Sequence, residues 1–224
     1  MLLGQNRASE GCTVITDEQT AGRGQRGNGW EAAPGENLTL SVVLFPTFLT
    51  APNQFVLSQA VALAVYDWAS TLLGTEPVLK LKWPNDLYFR GLKLGGILIE
   101  NTLGGSKIQH SVVGMGLNVN QQQFDVSTAT SLTRLTGRPY QLAAVAALLL
   151  ECLERRYLQL RAGQVGALRQ AYLKVLYRYQ ETHPFEVAGR VADGKIVGVG
   201  EDGKLIVEFK GEERRFGLQE IRYR

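Results

Sequence analysis

Residues 19 to 30 read Gln-Thr-Ala-Gly-Arg-Gly-Gln-Arg-Gly-Asn-Gly-Trp. Arg23 and Arg26 bring planar, permanently charged forks matched to carboxylate or phosphate oxygens, and no acid lies between Glu18 and Glu31 to neutralise them. Glycines at 22, 24, 27 and 29 let the backbone approach a ligand closely. An anion is the expected guest. The same composition suits a flexible linker, or an arginine-glycine segment that holds RNA through phosphates and stacking. The loop is short and flanked by strand-like stretches, which favours a folded small-molecule site.

Three further stretches could do chemistry, and each has a plain structural reading beside the functional one. Lys80-Leu81-Lys82-Trp83-Pro84-Asn85-Asp86 could present Asp86 to a ligand, or be a turn with Lys82 facing solvent. In Lys93-Leu94-Gly95-Gly96-Ile97-Leu98-Ile99-Glu100 the paired glycines interrupt a strong strand, which fits either a β-bulge or the close passage of a ligand or another backbone. In Val113-Gly114-Met115-Gly116-Leu117-Asn118-Val119-Asn120 alternate glycines clear one sheet face and leave a groove, with Asn118 at its end to read a polar edge or start a turn. Gly114-Met115-Gly116 is not a dinucleotide fingerprint, because no third glycine and no helix pattern follow.

The elements that must position these residues can be read in outline. Cys12 to Thr16 and Leu38 to Phe45 have strand composition and flank the loop. Thr50 and Pro52 announce a helix running to Gly74, with Val61, Val65, Trp68 and Leu72 on one apolar face, so that Trp68 reads as core. Strands follow at Val78 to Trp83, Leu87 to Arg90, Leu94 to Glu100 and Lys107 to Val119, the last two joined at Gly104-Gly105. Short turns mean antiparallel pairing, and with flanking helices the class is α+β, a mixed and mostly antiparallel sheet with helices on one face. A loop over 121 to 130, a helix from Leu142 to Leu160 and another from about Val165 to Tyr179 complete a first domain, residues 1–182. Residues 183–224 switch to short strands separated by turn signals at Ala192-Asp193-Gly194, Glu201-Asp202-Gly203 and Lys210-Gly211-Glu212, and read as a small C-terminal β-barrel or sandwich.

Composition limits the rest. Of 224 residues, 45% are hydrophobic and 20% charged, which argues against disorder. The net charge of +3 is too small to imply nucleic acid by itself, and it lies wholly in residues 1–182, since eight basic residues balance eight acidic ones after that. Cys12 and Cys152 are far apart and indicate neither a disulfide framework nor a zinc cluster. No window reads as a bilayer span of about 20 apolar residues and no secretory signal is evident, so a cytoplasmic location with no membrane partner is expected.

Taken together, and in this order, these motifs resemble the catalytic region of the biotin protein ligases over residues 12 to 120, and the tail from 183 is similar to that family's small C-terminal domain. The resemblance implies a catalytic domain of the class II synthetase type. It also implies a two-step reaction: biotin is activated by ATP with Mg²⁺ as biotinyl-5′-AMP, then passed to a lysine of the biotin carboxyl carrier protein of acetyl-CoA carboxylase. By the same resemblance Lys93, Asp86 and Arg23 are catalytic. Gln19, Arg23, Gly24, Gln25, Arg26, Trp30, Lys93, Gly96, Gly116 and Asn118 contact biotin or the adenylate, with Trp30 against the adenine and Asn118 near the nucleotide. No side-chain metal site is implied, and Mg²⁺ is expected with ATP.

Two departures from the family pattern stand out. The Ser-Thr-Asn segment that family members carry ahead of the first strand would fall upstream of Met1, and Arg7-Ala8-Ser9 does not match it. This implies a shortened chain or weakened biotin affinity, and no DNA-binding helix-turn-helix or repressor role. Gln25 stands where many relatives have arginine. A homodimer is compatible with the resemblance, and a lipoate or octanoate ligase of related fold, a non-catalytic adenylate binder and an RNA-binding module stand as alternatives.

Overall fold

The computed structural model describes residues 8–27, 29–74 and 78–224; Arg7 and the side chain of Arg26, both singled out above, lie outside the described residues. The first strands are β1 (Thr13–Thr16), β2 (Leu38–Leu44), β3 (Leu79–Lys82), β4 (Asp86–Phe89), β5 (Leu92–Gly104) and β6 (Lys107–Leu117). They form one six-stranded sheet in the order β1-β2-β6-β5-β4-β3, and every pairing between these strands is antiparallel. Along β2, Leu38, Leu40, Val42 and Leu44 are buried while Thr39 and Ser41 alternate onto the other face, the period of a sheet covered on one side.

The cover is helical. Helix α1 (Phe55–Leu73) follows a 3-10 turn at Ala51–Asn53 and ends at Gly74, which takes φ 81°. It is buried on more sides than one apolar stripe requires: Leu57, Ala60, Leu63 and Ala64 are enclosed along with Val61, Val65 and Trp68. The reason is that α1 lies between the sheet and the helices α3 (Leu142–Arg161) and α4 (Val165–Lys174). With its leading turn the segment Ala51–Leu73 is long and apolar enough, by length and composition alone, to cross a membrane, which corrects the sequence expectation; in the fold it is mostly buried. Trp68 is core as expected, its indole nitrogen donating to the Val145 carbonyl at 2.8 Å.

Two departures concern segment ends. A short helix, α2 (Leu132–Thr136), capped by the Ser131 hydroxyl, was not foreseen. Helix α4 stops at Lys174, earlier than Tyr179, because Val175 to Tyr177 peel away to bond β3 on both sides of Leu81, at 2.8 Å each, and cover that sheet edge.

The second sheet contains β7 (Thr182–Val187), β8 (Arg190–Val199), β9 (Leu205–Phe209), β10 (Glu212–Phe216) and β11 (Ile221–Tyr223). Its order is β10-β9-β8-β7-β11, all antiparallel, and among the described residues no pairing of β10 with β11 closes it into a barrel. It is joined to the first sheet's side of the molecule through the Trp83 indole, which donates to the Gly203 carbonyl at 2.9 Å, and the link before β7 bonds it from the Gln180 amide to the Ile196 carbonyl.

Candidate active site

The uncovered face of the six-stranded sheet carries a cleft of about 410 Å³, lined by the loop, by β2, β4, β5 and β6, and by the end of the second sheet. The loop is folded rather than extended. Arg23 and Gly29 form an antiparallel bridge, the Trp30 amide donates to the Gly22 carbonyl at 3.1 Å, and a 3-10 turn spans Gln25–Gly27. A Cβ at Gly22 would lie 2.0 Å from the Trp30 carbonyl oxygen, so a side chain there would force the loop open. Trp30 then turns its ring onto the sheet. A Cβ at Gly116 would lie 2.4 Å from the indole, which shows how closely the ring lies on the bare strand. The indole nitrogen is buried with no hydrogen-bond partner.

Beside Trp30, Lys93 Nζ lies 5.9 Å from the ring centre and 2.8 Å from Asp86 Oδ1. A β-bulge makes this pair. Leu87 pairs with Gly95 and Tyr88 with Lys93, leaving Leu94 as the extra residue, fully buried. The shift in parity aims Lys93 onto the same face as Gly96, Leu98 and Glu100, where a regular strand would have turned it toward the helices. The bulge accounts for the paired glycines, and another backbone does pass close by. Gly95 lies within packing distance of Gly116 and Leu117, while a Cβ at Gly96 would sit 3.3 Å from Asp86 Oδ1 and 3.4 Å from Lys93 Nζ. The Pro84-Asn85 segment is the turn its composition suggested; Asn85 bonds Ile97 through both its side chain and its carbonyl, which fixes Asp86 at the start of β4.

Of the residues singled out in the sequence, Gln19, Arg23, Gly24, Gln25, Trp30, Asp86, Lys93, Gly96 and Gly116 line this one cleft. Asn118 does not. It is 4% exposed, its side-chain amide donates to the Thr130 carbonyl at 2.9 Å, and its backbone bonds Leu94 and Leu132. Thr128 and Thr130 in turn hold the Lys93 backbone at 2.7 and 2.9 Å, so Asn118 acts on the lysine through a neighbouring segment. The side chain of Arg26 lies outside the described residues.

Sequence reasoning missed the wall supplied by the second sheet, where Gln219, Arg222 and Tyr223 line the cleft, and it missed Lys82. Lys82 Nζ is 3.1 Å from the Tyr88 hydroxyl and close to the rings of Tyr88 and Tyr223. Burial lowers its pKa; Asp86 opposes that shift, and Arg178 and Lys93 add to it. Burial also pushes Tyr88 up to about 12.

Chemically the cleft offers a floor cleared of side chains, a flat aromatic ring against that floor, a lysine-aspartate pair at its centre and an arginine loop at its mouth. These are the parts needed to hold a flat heterocycle and an anionic centre together. Residues 2–118 match the biotin/lipoate A/B protein ligase family. The chain is 30% identical over 202 residues to the biotin--[acetyl-CoA-carboxylase] ligase of Paracoccus denitrificans, covering 87% of this chain and 82% of that one. It is 30% identical over 212 residues to the bifunctional ligase/repressor BirA of Bacillus spizizenii, covering 92% of this chain and 64% of the relative's length. Among solved structures, the biotin protein ligase from Aquifex aeolicus in complex with biotin and ATP superposes with a TM-score of 0.80 at 25% identity, over 97% of this chain and 91% of that one.

Proposed function

Because the chain belongs to the biotin/lipoate A/B protein ligase family, we propose that it activates biotin with ATP as biotinyl-5′-AMP and transfers the biotinyl group to a lysine of the biotin carboxyl carrier protein of acetyl-CoA carboxylase. The observation that carries this reading is the Lys93–Asp86 pair, 2.8 Å apart in a cleft where Trp30 lies flat on Gly116. The names of the relatives above favour biotin over lipoate or octanoate.

Each half-reaction poses a charge problem that these residues answer. In the first, the biotin carboxylate must approach the α-phosphate of ATP, anion against anion. Lys93 and Arg23 supply the positive charge that allows the approach, and Lys93 stabilises the charge that builds on the phosphate oxygens. Among the described residues no group of three or more His, Cys, Asp or Glu could hold a metal ion, and the acids lining the cleft are Asp86, paired with Lys93, and Glu100. Magnesium, expected with ATP, would supply further positive charge to the phosphates. In the second half-reaction the carrier lysine, ordinarily protonated with a pKa of about 10.4, must become neutral to attack. Asp86 is the carboxylate at hand to orient that amine and take up its proton once Lys93 engages the adenylate. The folded loop and Trp30 shield the mixed anhydride from water.

The test is biotin-dependent pyrophosphate release from ATP, followed by biotin transfer to a carboxyl-carrier domain. Lys93→Ala should slow adenylate formation by about 10²- to 10³-fold, the usual loss when a group stabilising transition-state charge is removed. Asp86→Asn should slow transfer from preformed biotinyl-5′-AMP. If biotin elicits no pyrophosphate, or lipoate elicits more, the reading fails.

A further inference from the structure

Three consecutive residues just past β6 take hold of the limb that leads from Trp30 to β2. The Val119 amide donates to the Asn37 side-chain oxygen at 2.9 Å, and the Asn120 amide to the Glu36 carbonyl at 2.7 Å. The Gln121 side-chain oxygen accepts from the Asn37 side-chain amide at 2.5 Å and from the Ala33 backbone amide at 3.1 Å. Glu36 and Leu38 are thus fixed through backbone atoms, at Asn120 and at the pairing of Leu38 with Leu117. Ala33 is different. It lies on the far side of the turn that begins at Pro34, three residues from Trp30, and its amide is held by a side chain 88 residues away in the chain. Trp30 needs such a restraint. Its indole nitrogen is buried with no hydrogen-bond partner, and its backbone amide bonds within the loop, to Gly22. A buried donor left unpaired raises the energy of the seated ring, so the packing on Gly116 and the limb that carries the ring must offset it. The Gly35 amide, bonded to the Asp17 carbonyl at 2.8 Å, ties the two limbs of the loop to each other, whereas Gln121 ties the Trp30 limb to the end of the strand that bears Gly116.

Resting on the activity proposed above, we propose that Gln121 is a positioning residue for Trp30: its hold on Ala33 seats the ring over Gly116 and keeps the loop closed on the acyl-adenylate between the two half-reactions. The role asks for a fixed acceptor oxygen. Both groups that reach Gln121 Oε1 are N–H donors, so a carboxylate at this position can receive them, while a thioether is a weak acceptor and cannot replace it. The Gln121 amide nitrogen donates to the Gln123 carbonyl at 2.7 Å, which turns the oxygen toward the limb. The consequence is kinetic. A loop loosened at this point still folds but opens more often, and the intermediate escapes before a carrier lysine arrives.

The experiment compares Gln121→Met, which keeps the length of the side chain and removes the amide oxygen, with Gln121→Glu, which keeps an acceptor in that place. Two readouts are followed on the intact chain: tryptophan emission with no ligand added, and the rate at which preformed biotinyl-5′-AMP is released with no carrier protein present. In Gln121→Met the emission should shift to the red as Trp30 reaches water. Release should quicken by about tenfold, the usual effect of losing one hydrogen bond of this kind. Gln121→Glu should restore both readouts. In a Trp30→Phe background the emission shift should vanish, because the remaining tryptophans, Trp68 and Trp83, are buried in the core. Unshifted emission in Gln121→Met, with or without a fall in Tm, overturns the proposal and leaves Gln121 a structural residue. A shift that persists without Trp30, a shift without faster release, or a Gln121→Glu that does not restore both readouts overturns it as well. A parent chain that does not bind biotinyl-5′-AMP refutes the ligase reading instead, and the emission measurements still decide whether Gln121 holds Trp30.

Discussion

At Gly116 a single missing methyl group determines where Trp30 can lie. A Cβ there would stand 2.4 Å from the indole, whereas the same addition at Gly114 meets nothing nearer than the Leu98 carbonyl at 3.3 Å. Gly116→Ala should therefore lift the ring off the sheet, red-shift the tryptophan emission and lower stability by about 1–3 kcal/mol, the range for overpacking. Gly114→Ala should do much less. Combining Gly116→Ala with Trp30→Ala should cost less than the sum of the single changes, because the two sites share one clash; simple additivity would mean that the ring does not depend on the bare strand. At this scale the sequence was informative where residue type alone decides. Alternating glycines do clear a sheet face, and Asp86 and Lys93 do meet. It was uninformative where a distant partner decides. A lysine beside a turn reads as solvated, and nothing near Lys82 announces that Tyr223, from the far end of the chain, closes over it. The strand pattern leaves Asn118 open between a ligand edge and a turn, the resemblance implies a place near the nucleotide, and in the fold its side-chain amide donates to the Thr130 carbonyl.

Among the elements, the bulge in β5 and the anchoring of the segment before β1 matter most to the cleft. The strand that holds Lys93 was evident from its composition, but a bulge is a one-residue change of register, and paired glycines are compatible with it without requiring it. Helix α4 was read too long because its apolar pattern continues into residues whose backbone bonds are taken by β3. The segment leading into β1 is held by Glu10, which accepts from the Tyr157 hydroxyl at 2.7 Å, the Phe45 amide at 3.0 Å and Arg161 at 2.5 Å, tying that end of the sheet to α3. Burial pushes the Glu10 carboxyl upward, but the bonds from Tyr157, Arg161 and Phe45 outweigh it and leave the pKa below its ordinary value of 4.5. A carboxylate depressed in the folded state stabilises above its unfolded pKa and loses that contribution as pH falls through the folded value. Glu10→Gln should thus be less stable than the parent chain at pH 7 by about 1 kcal/mol. The gap should begin to narrow below pH 4.5 and close at pH values under the depressed pKa. Thermal unfolding of both proteins from pH 7 to pH 3 checks this, and a gap that persists unchanged at low pH would show that the anchoring does not depend on the charge.

Across the whole molecule, the two sheets meet at the candidate cleft. The sequence reading puts a boundary near residue 182, where short alternating strands begin, and β7 spans Thr182–Val187. The packing of the second sheet against the cleft was not legible, because contacts between units far apart in sequence leave no periodic trace in either. Trp83 is the clearest joint. It is 5% exposed, its indole donates to the Gly203 carbonyl at 2.9 Å, and Gly203 takes φ +82° and lies against Phe55 at the start of α1. Arg169 and Glu201 add an ion pair at 2.6 Å across the same junction. If this joint holds β11 at the cleft wall, Trp83→Phe should strip one hydrogen bond, leave a carbonyl unpaired and lower stability by about 1 kcal/mol. The parent chain should unfold in urea with coincident transitions by tryptophan emission, which reports on the first sheet, and by far-UV ellipticity, which reports on both. In Trp83→Phe the emission of Trp30 and Trp68 remains as a probe, and the two curves should separate as the second sheet loosens first. Because that sheet also supplies Tyr223 to the cleft wall, the same variant should slow the proposed biotin-dependent pyrophosphate release at urea concentrations well below the transition. Coincident curves with an unshifted midpoint would mean that the sheets are held together elsewhere, and that the cleft wall does not depend on this joint.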